Sequence, residues 1–225
     1  MDENILLIAF GKKYVDILLK DYNKIPNNYN LIIYTDDVDK VKNTLKNSDV
    51  REYDKKVFSY FDKITLAYNL SNEKQKSILY IDVGRLNEIP NKIWKLDLNN
   101  ILDVHYLGNW GNIKTANDLI NHESEYFEKT YWDNILSYFK SNTDLKEIPT
   151  ILERIFILPY TNKMKSFINE FEKLRPLFEH TSLSKENVYK GIGNGEGLAM
   201  GYSIVKTNNK LVHISESKII KTELI

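Results

Sequence analysis

The chain has 225 residues, 42% of them hydrophobic and 28% charged, and its 31 basic and 31 acidic side chains cancel. That length holds one large domain or two small ones, with a substantial core, and the neutral balance excludes a general polyanion binder, so no nucleic-acid partner is expected. Cysteine is absent, which rules out a disulfide framework and a thiolate zinc site and fits a reducing, cytoplasmic setting.

Residues 4–10, NILLIAF, form a continuous apolar run closed by Gly11. The run is too short to span a bilayer and lacks the basic start of a leader; it reads as a strand buried on both faces. No later stretch reaches spanning length, so no membrane segment is expected. Tyr14, Val15, Ile17 and Leu18 follow at helical spacing within residues 13–22, and Pro26 with Asn27 and Asn28 ends that helix. Residues 31–35, LIIYT, read as a second strand running into Asp36 and Asp37, followed by a short helix over 38–45 and a weaker strand over 50–53. A helix is expected over 58–70, with Phe58, Phe61, Ile64, Thr65 and Tyr68 on one stripe. The strand Ile78–Ile81 then delivers Asp82, Val83, Gly84 and Arg85.

Such alternation predicts an α/β fold with a mostly parallel sheet and helices on both faces. Right-handed crossovers place the strand C-termini on one edge, where open α/β sheets bind ligands. Phe10, Gly11, Asp36, Asp37 and Asp82 are expected to converge there. The middle of the chain, 90–150, reads as loop-rich around Trp94, Tyr106, Trp110 and Trp132, with a helix over 123–139. A strand is expected over 152–159 and an amphipathic helix over 163–178, carrying Met164, Phe167, Ile168, Phe171 and Leu174 on one face. A glycine-rich loop, Glu196 and a short apolar helix come next, then a strand over 210–214 and a polar tail. With no internal repeat or linker, one domain over 1–225 is expected.

Several residues invite two readings. Asp82 suits a ribose hydroxyl or a divalent metal, which prefers hard oxygen ligands; it equally suits a turn, since Asp-x-Gly is good turn chemistry. Asp36 and Asp37 suit a nucleoside contact or the N-cap of the 38–45 helix. Glu196 suits a general base or a sugar-gripping acid, or merely an acid favoured by a helix dipole. Gly191, Gly193, Gly195 and Gly197 permit close backbone approach, but their loop does not follow the first strand, so it is no dinucleotide loop. His213 suits a metal ligand or a surface position, whereas His105, His122 and His180 show no ligand spacing. No Ser–His–acid set, Walker loop or zinc motif can be assembled.

Taken together, NILLIAFG, LIIYTDD, KITLAYNLSNEKQKSILYIDVGR, GNGEGLAMGYS and LVHISESK resemble the corresponding segments of GT-A-type, nucleotide-sugar-dependent glycosyltransferases. The resemblance implies a nucleotide-binding half over 1–90 and an acceptor-side half over 91–225. It implies hexosyl transfer from a nucleoside-diphosphate sugar, a UDP-sugar above all, to a carbohydrate hydroxyl, with Asp82 and Glu196 catalytic. Phe10, Gly11, Asp36, Asp37, Lys63, Arg85 and Lys218 would bind the nucleotide sugar. Asp82 and His213 would hold Mn²⁺ or Mg²⁺. Asp82 matches the first acid of the family's Asp-x-Asp motif, but Gly84 replaces the second, commonly the principal metal contact. Lys12, Lys63, Arg85 and Lys218 are then the candidates to hold a diphosphate directly, since basic side chains bind phosphate without a metal. Two alternatives stand beside this one: a catalytically silent nucleotide-sugar-binding domain or module of a larger enzyme, and a nucleotidyltransferase, which a missing glycine-rich basic loop after the first strand disfavours.

Overall fold

A computed structural model describes residues 3–110, 113–121, 129–181, 191–192 and 195–221. In chain order the elements are β1 (Glu3–Ala9), α1 (Lys12–Asp21), β2 (Tyr29–Thr35), α2 (Val38–Thr44), β3 (Asp49–Glu52), β4 (Phe58–Ser59), α3 (Asp62–Lys74), β5 (Ile78–Ile81), α4 (Asn91–Trp94), β6 (Val104–Tyr106), α5 (Lys129–Lys140), β7 (Ile155–Leu158), α6 (Met164–Thr181), β8 (Gly191–Ile192), α7 (Glu196–Lys206) and β9 (Leu211–His213). Seven strands form one sheet in the order β3-β2-β1-β5-β7-β6-β9. β3, β2, β1 and β5 run parallel, β7 runs against both β5 and β6, and β9 runs parallel to β6. The fold is therefore α/β with a mostly parallel central sheet flanked by helices.

The apolar run of β1 explains itself through this layering. Successive side chains of a strand point to opposite faces, and here both faces are covered. Leu6 and Ile8 join the layer with Phe61 and Ile64 of α3, Phe139 of α5, Phe171 of α6 and Tyr202 of α7. Ile5, Leu7 and Ala9 join the opposite layer with Val15 and Leu18 of α1, Val41 of α2, and Leu86 and Ile93. A ring stack of Phe61 on Phe171, 4.5 Å between centroids, locks α3 to α6.

Two elements differ from the sequence expectation. The helix expected from Phe58 begins at Asp62, because Phe58–Ser59 instead pairs in parallel with Gly191–Ile192 as a two-stranded ribbon. Tyr106 lies on β6 rather than in a loop, paired with Phe156 on one side and His213 on the other. The helix expected over 123–139 is described from Lys129 onward; residues 122–128, with His122, lie outside the described residues. Among the described residues no helix is long and apolar enough to cross a membrane.

α7 approaches the sheet unusually closely. A Cβ on Gly197 would stand 1.9 Å from the Ile151 carbonyl oxygen, and one on Gly201 the same 1.9 Å from that of Pro149. Both separations are far inside van der Waals contact, so only hydrogen fits at these two positions. Four residues apart, they share one face of the helix, and that face rests on the backbone leading into β7. The first turn of α7, with Glu196, is thereby pressed against the sheet edge.

Candidate functional site

The parallel strands β1, β2, β3 and β5 end on one edge, and each delivers a residue to it. β1 ends in Phe10 and Gly11. Gly11 takes φ 82°, ψ 150°, and its carbonyl accepts from the Tyr14 and Val15 amides to start α1. Both carboxylate oxygens of Asp36, just past β2, accept the Gly11 amide proton at 2.9 and 3.1 Å. Asp36 is thus engaged in holding the β1–α1 turn. Asp37 caps α2 by accepting from the Lys40 amide at 3.3 Å. Both Asp36 and Asp37 are exposed at the sheet edge while serving these local roles.

Asp82 follows β5, and its amide donates to the Arg154 carbonyl at 2.7 Å, tying it to the start of β7. The Tyr80 hydroxyl donates to Asp82 Oδ1 at 2.5 Å. Lys63 Nζ, from the first turn of α3, lies 3.5 Å from that same oxygen and donates to Glu196 Oε1 of α7 at 3.0 Å. Side-chain exposure is 4% for Lys63, 2% for Glu196 and 26% for Asp82, so Asp82 is the member of the three that opens to solvent. Residues 63, 82 and 196, named separately from the sequence, meet in one buried ion network.

Glu153, which the sequence reading passed over, completes it. It is half-buried just before β7, its carboxyl hydrogen-bonds that of Glu196, and Trp110 Nε1 donates to its Oε2 at 3.4 Å. Burial, then the neighbouring Glu153, push Glu196 well above the usual carboxylate range, with Lys63 pulling the other way. Burial disfavours the Lys63 ammonium, but Asp82 and then Glu196 more than offset it and hold it charged well above the ordinary lysine range. Asp82 acts more strongly on Lys63 than Glu196 does. Tyr80, driven up by burial and by Asp82, stays a neutral donor. The Lys63 ammonium also stands 4.9 Å from the centre of the Tyr60 ring, within cation–π reach.

An aromatic wall adjoins the network on the β1–β3 side. Phe10 meets Tyr53 at 5.4 Å and Phe58 at 6.2 Å, and Phe58 meets Tyr60 at 5.1 Å. The Tyr53 hydroxyl donates to Asp62 Oδ2 at 2.5 Å, and Asp62 also receives Arg175 at 2.8 Å and Lys55 at 2.8 Å. Arg175, from α6, further binds Glu172 and Glu179. This second ion cluster holds the wall through Tyr53 and adjoins the first because Asp62 and Lys63 are adjacent on α3.

The remaining expected residues are scattered. Arg85 is about one-third exposed beside the Asp82 turn and pairs with Glu88 at 2.6 Å. Gly84 is exposed, and a Cβ there would meet only Tyr14, at 3.9 Å. His213 ends β9, three strands from β5, which is roughly 14 Å along the edge at the usual strand spacing; its Nδ1 is held by Ser215 at 2.5 Å. After His213 the chain doubles back: Ile220 bridges Leu96, and Lys221 pairs with Glu3 at the opposite edge. Lys218 is exposed on that returning segment, so it is not brought to Asp82. Gly193 and the side chain of His180 lie outside the described residues; His105 is a buried core histidine whose Nε2 contacts Ser217 Oγ at 3.1 Å.

As a seat for Mn²⁺ or Mg²⁺ these residues fit poorly by their own chemistry. Asp82 has an ammonium 3.5 Å from one oxygen, His213 is remote from it, and among the described residues no three His, Asp or Glu side chains converge as a metal site.

No protein-family model matches the sequence, and no curated protein matches it. Among solved structures the chain is similar to the bifunctional IspDF from Campylobacter jejuni, with a TM-score of 0.44 and 10% identity over 99% of this chain and 52% of that one. The chain thus spans about half the length of that protein.

Proposed function

We propose that the chain is a glycosyltransferase that takes a hexosyl group from a UDP-sugar and passes it to a carbohydrate hydroxyl. The observation that carries this reading is the meeting of Asp82, Lys63 and Glu196, from three distant segments, at the C-terminal edge of the parallel strands beside an aromatic wall. That edge is where open α/β sheets take ligands. In this reading the nucleobase lies against Phe10 and Phe58, and Asp82, whose Oδ1 is held by Tyr80, offers Oδ2 to a ribose or sugar hydroxyl. Departure of the diphosphate builds negative charge, and fixed positive groups stabilise it as it develops. Lys12 at the start of α1 and Arg85 are exposed enough to serve, and the α1 N-terminus adds its dipole; Tyr14, beside Gly84, marks how closely that helix faces the Asp82 turn. Lys63 faces Asp82 Oδ1 from behind at 3.5 Å. No step is routed through a metal.

The second reading, a nucleotide-sugar-binding domain without turnover, is favoured by one observation: Lys63 and Glu196 are almost fully buried and engaged with each other. Calorimetry with UDP, together with UDP release from UDP-hexoses, separates the two. The transferase reading expects binding and release, with Asp82→Ala lowering kcat/KM by roughly 100-fold. Binding without release in the unaltered protein establishes the second reading, and no binding at all overturns both.

A further inference from the structure

The proposed reaction needs a group to take the proton of the attacking hydroxyl, and the geometry points to Glu153. We propose that Glu153 is the catalytic base of the transfer, with Glu196 and Trp110 as positioning residues that hold its carboxylate; this rests on the transferase reading above. Four acidic or basic side chains meet at the site, and three are otherwise occupied. Lys63 and Glu196 are both buried and bonded to each other at 3.0 Å. Asp82 accepts from Tyr80 and faces the Lys63 ammonium. Glu153 is half-buried, accepts from Trp110 at 3.4 Å and is in hydrogen-bond contact with the Glu196 carboxyl.

The glycine at 197 serves this arrangement directly. A Cβ there would stand 2.4 Å from Glu153 Oε2, so the missing side chain makes the space in which the carboxylate rests against the first turn of α7. That turn carries the positive end of the helix dipole, which favours an anion. β7 runs against its neighbours, and this reversal is what brings residue 153, ahead of the strand, to the edge where the parallel strands end. Glu153 and Asp82 are consequently neighbours across the β5–β7 pairing, with the Asp82 amide bonded to the Arg154 carbonyl.

The step balances as a single displacement. The acceptor hydroxyl gives its proton to Glu153 while its oxygen bonds the anomeric carbon. The bond from that carbon to the phosphate oxygen breaks, and its electron pair leaves with the nucleoside diphosphate. Glu153 then returns the proton to water, and the anomeric centre is inverted.

The test measures UDP release from UDP-glucose, UDP-galactose and UDP-N-acetylglucosamine with water as the acceptor, UDP affinity by calorimetry, and the anomer first formed by NMR. Glu153→Gln should lower kcat about 100-fold or more, the scale of general base catalysis, while UDP affinity stays within about twofold of the unaltered protein. Formate should restore part of the turnover of Glu153→Ala, as a small carboxylate entering the vacated space, and the first product should be inverted. Glu196→Gln should keep more than about a tenth of kcat and show no response to formate. The assignment is overturned by a Glu153→Gln kcat within about threefold of the unaltered protein, by equal losses of kcat and UDP affinity without formate rescue, or by a retained anomer. Unaltered protein that binds UDP yet releases none from any of the three donors overturns the transferase reading and this assignment with it.

Discussion

Replacing Lys63 with Met keeps the length of the side chain and deletes its charge, and the cost can be worked from the network. At an effective dielectric near 20, unit charges 3.5 Å apart, the Lys63–Asp82 separation, attract by about 5 kcal/mol, part of which is cancelled by the desolvation of both groups. Glu196, at 3.0 Å, is the second partner and adds less than Asp82 does. Removing the cation leaves Asp82 with Tyr80 alone, but a side chain 26% exposed can recruit water. The expected loss is therefore near the low end for a broken buried pair, about 3 kcal/mol. For a chain of this size that is a fall in Tm of roughly 6–12 °C. Urea unfolding followed by circular dichroism gives the free energy, and a double-mutant cycle with Asp82→Asn isolates the pair. The cycle should show a coupling of at least about 1.5 kcal/mol, because Asn no longer needs the ammonium. A loss below about 1 kcal/mol for Lys63→Met, or a coupling near zero, would refute the claim that these charges hold one another.

Three further outcomes are expected. Gly197→Ala and Gly201→Ala each force α7 off the backbone at residues 149–151, since the added methyl would stand 1.9 Å from a carbonyl oxygen; each should cost about 3 kcal/mol in urea unfolding, and Gly197→Ala should also disturb Glu153. Glu196 keeps its proton in the fold at pH values where the unfolded chain has released it, so its contribution is full below a glutamate's ordinary 4.5 and is lost as the pH rises above that. Glu196→Gln should accordingly match the parent at pH 4.5 and melt higher than it at pH 8; a lower melting temperature at pH 8 would contradict the buried, protonated carboxyl. Gly84→Asp should fold with a change within about 0.5 kcal/mol, because only Tyr14 lies within reach, at 3.9 Å. By calorimetry it should gain little affinity for Mn²⁺ unless Lys63 is also replaced, and tight binding by the single variant would show that the ammonium does not repel the ion.

Much of this was legible in the sequence where local pattern decides, and little where tertiary packing does. β1, β2 and β5 announce themselves as apolar runs with an acid or glycine at the end, because strands covered on both faces need no polar alternation. Asp82 was legible for that reason. Lys63 was visible only as one cation among several, since its helix carries its buried face irregularly and its partners come from residues 82 and 196. Glu153 gave no local signal: an acid ahead of an apolar strand is ordinary. The signal lay elsewhere, in Gly197 and Gly201 on one face of α7, which require a backbone pressed against that face. Lys218 misled because LVHISESK was read as one approach to the site, whereas the chain turns at Ile214–Glu216 and returns along Leu96. β4 and β8, two residues each, are ribbons that only their pairing defines.

Gly84 and Lys63 become intelligible together. A second acid beside Asp82 would add negative charge to a cluster that already holds Asp82 and the Glu153–Glu196 pair around one ammonium. With glycine there, Lys63 faces Asp82 at 3.5 Å and Glu196 at 3.0 Å, and the Asp82 turn adds no second acid to them. An arriving divalent ion would find one carboxylate, already facing an ammonium. An arriving diphosphate would find Lys12 exposed, Arg85 one-third exposed and paired with Glu88, and the positive ends of two helices, α1 and α7, at the edge. In the proposed transfer the protein's own cations would therefore meet the leaving group, and the loss of the second acid would be part of the same arrangement as the buried lysine.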